Sequence, residues 1–301
     1  MRRQRGAALI VAMLVAAIAA AVATTLTVES SRWQALVEGR RDHARAVSLA
    51  AAGVQWARQV LAEDAAHGPI DHLAEPWAFP LPPTPVDGGS VEGRIDDAQA
   101  RLNVNGLGGV DGDAAIARQR FGRVLARDGV DATLVDPIAD FIDADEAPRE
   151  RGAEDAAYAS SGGVTPNAPL VRVGELAAVR GVTAIALARL APDVATLPLD
   201  ATVNVNTATP NVLAAVLPSL DAEAIAAIVA ERRERPYASI DDFLARNAVR
   251  TNSIESAGLG VGSRHFLVSV RARQGQATVR AEALIARGGG PVPTVVWQVI
   301  D

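Results

Sequence analysis

The chain has 301 residues, enough for one large domain or two small ones. Its 29 Lys and Arg against 35 Asp and Glu leave a formal net charge of −6, which removes the electrostatic footing of ordinary duplex binding. Cysteine is absent, so thiol catalysis, Cys-ligated zinc and disulfide stapling are excluded together.

The first element is apolar. A basic start, with Arg2, Arg3 and Arg5, precedes an apolar run from Ala7 to Val28 that only Thr24, Thr25 and Thr27 interrupt. A stretch of about 20 apolar residues spans a bilayer core as a helix. The arginines then stay on the cytoplasmic side, and the rest of the chain lies outside the cytoplasm. Three readings compete for this segment. It is a secretory signal with Ala21, Val22 and Ala23 as its cleavage motif, an uncleaved anchor, or a leader cut on the cytoplasmic side between Gly6 and Ala7.

The residues beyond the membrane favour the third reading. No proline occurs from Glu29 to Glu63, and Leu36, Val47, Val54, Trp56, Val60 and Leu61 recur at helical spacings. The membrane helix therefore continues outward as one long rod, the plan of type IV pilins and pseudopilins. An ordinary signal peptide would end at a turn.

After the rod, Pro69, Pro76, Pro80, Pro82, Pro83 and Pro85 predict a connecting loop over the surface. Residues 90–105 read as two short extended runs around a polar turn at 96–99. From 106 to 262 helical patterns take over, predicting an all-α insertion with helices at 114–127, 135–141, 174–179, 184–190, 210–216, 222–231 and 240–246. Alternation then returns in HFLVSVRAR and ATVRAEALIAR, with PTVVWQVI as a final edge strand.

Two motifs stand out in the insertion. The run DFIDADEAPRERGAEDAAY concentrates carboxylates at Asp140, Asp143, Asp145, Glu146, Glu150, Glu154 and Asp155. Read on residues alone, it is a hard-cation site without EF-hand spacing, or a solvated acidic loop with helix caps. The segment 203–244 is similar to a helix-hairpin-helix repeat, with 173–190 a weaker copy. Phosphate-binding hairpins carry glycines whose free N–H groups approach the anion, whereas Ser219, Leu220 and Asp221 stand here. A packing or protein-contact role fits better than nucleic acid. Arg232, Arg233 and Arg235 read as a helix end satisfying its dipole. The four histidines have no metal spacing, and no nucleophile elbow or phosphate loop is present, so no catalytic residue is assigned.

Over nearly its whole length the chain resembles the general secretion pathway protein K family of type II secretion minor pseudopilins. That resemblance implies an α+β pseudopilin fold: a long N-terminal helix on a small antiparallel sheet, interrupted by a large all-α insertion of SAM or helix-hairpin-helix type. The parts would be a leader at 1–6, a membrane and stalk helix at 7–66, a loop and first head strands at 67–105, the insertion at 106–262 and the last head strands at 263–301. Most mature pilins have Glu as fifth residue, whereas the fifth residue after Gly6 is Val11. In a filament that carboxylate pairs with the terminal amine of the subunit ahead, because an unpaired charge there is costly. A tip subunit has nothing ahead of it. Ala7 departs from the more usual aromatic or Met first residue.

The resemblance further implies a single-pass inner-membrane protein with a periplasmic C-terminal domain. Its partners would be prepilin peptidase, the assembly platform, the major pseudopilin and the other minor pseudopilins of I and J type. It also implies structural calcium in the insertion, with Asp143, Asp145, Glu154 and Asp155 as side-chain ligands and carbonyls within 149–152 contributing. A rival from another class is a membrane-anchored periplasmic DNA-binding protein that uses the hairpin repeat. A calcium-dependent hydrolase has no nucleophile and base to support it.

Overall fold

The computed structural model describes residues 3–109, 112–159, 163–247, 257–288, 290 and 292–301, with side chains from Leu9 onward. Helix α1 runs from Arg3 to Ala65 without a break, roughly 95 Å at 1.5 Å per residue. Gly6 and Ala7 lie on its backbone, and the Ala7 side chain falls outside the described residues.

The distal third of α1 packs on a five-stranded antiparallel sheet. Its strands are β1 (Leu81–Val86), β2 (Gly89–Asp97), β7 (His265–Gln274), β8 (Ala277–Ala286) and β9 (Thr294–Ile300), in the order β1-β2-β7-β8-β9. Ala46, Ala50, Val54, Ala57 and Leu61 recur every three or four residues and are buried against Phe266, Val268, Val270, Val279 and Ala281. Three of these helix residues are alanines, and Gly53 lies among them. A Cβ on Gly53 would stand 2.7 Å from Val270 Cγ1, so the close approach of helix to sheet depends on small residues.

The proline-rich segment is corrected by the structure. It contains strand β1, LPPTPV, rather than a loop alone. Proline is tolerated because β1 is an edge strand, where missing N–H donors cost no ladder bonds, and a register shift between Leu81 and Thr84 absorbs Pro82 and Pro83.

Between β2 and β7 lie α2 (Gly112–Arg127), α3 (Val135–Ile142), α4 (Asp155–Tyr158), α5 (Ala184–Leu190), α6 (Pro210–Val216), α7 (Ala222–Glu234) and α8 (Ile240–Asn247). They share a buried core of their own that includes Phe121, Leu125, Ile138, Leu176, Leu213 and Phe243. The expected helix at 174–179 is a 3-10 segment, Val173–Ala178. Among the described residues of this stretch there are also four two-residue strands. β3 (Leu102–Asn103) pairs in parallel with β4 (Val194–Ala195), and β5 (Val203–Asn204) with β6 (Leu259–Gly260). The second extended run of 90–105 therefore belongs with the helical unit, not with the head sheet.

The two units meet at a buried carboxylate. Asp97, where β2 ends, accepts hydrogen bonds from Thr207 Oγ1 (2.5 Å), Ser263 Oγ (2.6 Å), Asn204 Nδ2 (3.2 Å) and Gln99 N (2.8 Å). One side chain thus ties the chain's exit from the sheet to its return at β7.

A carboxylate cage and an unpartnered stalk

Asp143 caps the C-terminus of α3 in an extended conformation, and the loop that follows returns to Glu154 at the start of α4. This return brings ligand oxygens of Asp143, Asp145 and Glu154 within 4.8 Å of one another. Asp145 is exposed, while Asp143 and Glu154 are buried. The buried pair is incompletely satisfied: Asp143 Oδ1 and Glu154 Oε1 have no hydrogen-bond partner. Burial raises the pKa of both carboxyls, and for Glu154 repulsion from Asp140 and Asp143 adds to it. A cation among them would offset the repulsion and favour the ionised form of both carboxyls.

Asp155 does not join this group. Its Oδ1 accepts from Thr165 Oγ1 and Thr165 N, each at 2.7 Å, and those bonds lower its pKa. Among the carbonyls expected to contribute, that of Arg149 accepts from Gly152 N at 3.0 Å.

Asp140, one of the seven carboxylates of the acidic run but not among the four expected ligands, is the anchor of the loop. It is fully buried, and the loop closes on it. Its Oδ2 accepts from Arg149 N (3.1 Å) and Ala153 N (2.9 Å), and its Oδ1 accepts from Arg149 Nη1 (2.5 Å). A Cβ on Gly152 would fall 1.6 Å from Asp140 Oδ2, so only glycine fits there. The same Arg149 Nη1 also donates to Asp143 Oδ2. The Thr165 hydroxyl gives its one proton to Asp155 Oδ1 and lies 3.4 Å from Glu154 Oε2.

A second carboxylate group, Asp64, Asp71 and Glu75, is comparably tight but differently completed. Arg287 donates to Asp64 Oδ2 (2.5 Å), to Asp71 Oδ1 and to Ser263 O (2.9 Å). Glu75 Oε2 accepts from Trp77 Nε1 and His72 N, both at 2.8 Å. Here a guanidinium and neutral donors fill the place that an ion would take.

The hairpin at 219–221 is closed to phosphate. Asp221 caps α7 through a bond from Ala224 N at 2.8 Å, which places a carboxylate where the anion would sit. Arg232 does not serve the helix end as expected. It is buried and donates to Val205 O (2.6 Å) and Ala208 O (2.7 Å), and burial brings its pKa down to about 10.

Among the described residues, nothing in the chain covers the proximal part of α1. Leu9, Ile10, Val11, Met13, Leu14, Val15, Ile18, Val22, Leu26 and Val28 are all exposed, and the helix is long and apolar enough to cross a membrane. The interrupting threonines donate their hydroxyls to Ala20 O, Val22 O and Ala23 O, each at 2.8 Å, which suits them to an apolar medium.

Two family models, both described as type II secretion system protein K, match residues 100–199 and 203–262. The type II secretion system protein K of Pseudomonas aeruginosa is 33% identical over 98% of this chain and 97% of its own length. The chain belongs to the type II secretion system protein K family. The Pectobacterium carotovorum protein of the same name is 30% identical over 98% of this chain and 96% of its own. A chain of the GspK-GspI-GspJ complex from enterotoxigenic Escherichia coli has the same fold. It aligns with a TM-score of 0.77 at 23% identity, covering 88% of this chain and 99% of that one. The α+β plan expected of the family, a long N-terminal helix on an antiparallel sheet, is the plan found here.

Proposed function

We propose that the protein is a minor pseudopilin that works by assembly rather than catalysis, at the tip of the periplasmic pseudopilus of type II secretion. The observation that carries this is the division of α1. Its distal third is fixed to the head sheet, and its apolar proximal part is exposed along its length. A rod of this kind gains most by burying its free part in lipid and against other rods. Ala12, Ala16, Ala19, Ala20 and Ala23 give it small contact residues for close helix approach.

Arg2, Arg3 and Arg5 favour a cytoplasmic N-terminus and a periplasmic head. Prepilin peptidase would cut between Gly6 and Ala7. Val11 at the usual glutamate position supports a place with no subunit ahead, and the bulky helical unit between β2 and β7 would cap the filament. The relative solved together with I- and J-type proteins makes those classes the first partners to test. Extraction of the full chain from membranes with its I- and J-type neighbours as one complex is expected. Recovery of the chain free of both would overturn the assembly reading.

The cage fits a hard divalent cation such as calcium, with Asp143, Asp145 and Glu154 as holders. Its donors are all oxygens, and two buried oxygens lack partners. A bound ion would supply structural cross-linking of α3 to α4 in a chain without disulfides.

A further inference from the structure

We propose that Arg149 is a tethered cation that sets the affinity of the carboxylate cage for a divalent ion, an inference that rests on the cation reading above. The Arg149 side chain is 22% exposed, and its guanidinium bridges two carboxylate side chains that are 0% and 1% exposed, Asp140 and Asp143. This divides the cage. Asp140 and one oxygen of Asp143 belong to the arginine, whereas Asp143 Oδ1, Glu154 Oε1 and the exposed Asp145 remain for an ion.

Charge explains what the division does. Asp140, Asp143, Asp145 and Glu154 carry four negative charges when ionised, and a divalent ion alone offsets half of them. Without Arg149 the loop would be strongly self-repelling until an ion arrived, and it would then hold the ion tightly. With Arg149 in place, part of the repulsion is already cancelled, so the loop closes on Asp140 before any ion binds. The same positive charge opposes the incoming ion. Arginine keeps its proton at any physiological pH, so the opposition is permanent. The second carboxylate group is the internal comparison: among the described residues, no buried oxygen of Asp64, Asp71 or Glu75 lacks a partner beside Arg287, whereas two buried oxygens lack one in the cage that Arg149 enters.

Calcium titration calorimetry and thermal unfolding of the full chain in detergent micelles test this. Arg149→Gln is expected to tighten calcium binding by about tenfold or more. It should also lower the Tm of the ion-free chain, so that the calcium-induced rise in Tm grows. Arg149→Lys keeps the charge and is expected to bind with nearly the wild-type Kd. Unchanged or weaker binding by Arg149→Gln, with calcium still bound by the wild type, would overturn this inference alone. Should the Gln variant fail to fold without calcium, the Lys variant decides, and tenfold tighter binding by it would contradict the charge argument. Failure of the wild type and both variants to bind calcium would overturn the cation reading and this inference with it.

Discussion

Asn105 and Asn206 make the same set of hydrogen bonds in two separate parts of the chain. Asn105 Oδ1 accepts from Leu170 N (2.8 Å), and its Nδ2 donates to Leu170 O (3.0 Å) and Leu197 O (3.1 Å). Asn206 Oδ1 accepts from Tyr237 N (2.9 Å), and its Nδ2 donates to Tyr237 O (3.0 Å) and Val261 O (3.4 Å). Each ends an Asn-Val-Asn run that begins in a short parallel strand, and in each the first Asn accepts from the N–H of the second. The helical unit therefore contains two copies of one clamp, each holding a distant segment by both of its main-chain polar groups.

Replacing either asparagine with alanine strands buried main-chain groups, which costs about 1–3 kcal/mol each time. Asn206→Ala and Asn105→Ala should each lower the thermal midpoint. The clamps share no partner, so their effects should add in the double variant. A double variant no less stable than either single one would contradict two independent clamps.

Gly152→Ala probes the closure of the loop on Asp140. The added Cβ cannot coexist with the carboxylate where it stands, so the loop must open. A loss of about 2–4 kcal/mol is expected. Calcium protection measured by thermal unfolding should fall with it, because Asp143 and Glu154 are no longer held together.

Asp71 makes stability depend on pH with a definite sign. Burial, opposed mainly by Arg287, pushes its carboxyl up to about 6 from 3.8. The folded state therefore holds a proton that the unfolded state releases between those values. This contribution is fully present below pH 3.8 and is lost as pH rises through 6. Thermal unfolding between about pH 7 and pH 5 should show Asp71→Asn gaining less stability on acidification than the wild type, whatever its absolute midpoint. Parallel pH profiles would contradict the assignment.

Much of this was legible in the sequence. Long periodic stretches showed α1 and most of the inserted helices, and period-two alternation showed β7, β8 and β9. Strand β1 was hidden because proline argues against a strand, and only its edge position makes proline harmless. The two-residue strands are too short to carry a period. At the cage, a dense acidic run pointed to the right loop but could not say which carboxylate faced inward. Asp155 turned to Thr165, and Asp140, one helical turn before Asp143, was claimed by the loop's own N–H groups and Arg149. The nearby pairing of Arg149 and Gly152 was the available signal, since an arginine and an obligatory glycine in an acidic loop suggest wrapping around a buried anion. The Asn-Val-Asn repeat was also present in the residues, but its meaning lay in partners far away in sequence.

Assembly by the stalk requires a membrane helix that stays attached after processing. The intact mass of the chain extracted from membranes of its native producer measures this most directly. A polypeptide beginning at Ala7, with the apolar segment present, is the predicted result. One beginning at Thr24, released without that segment, would contradict it.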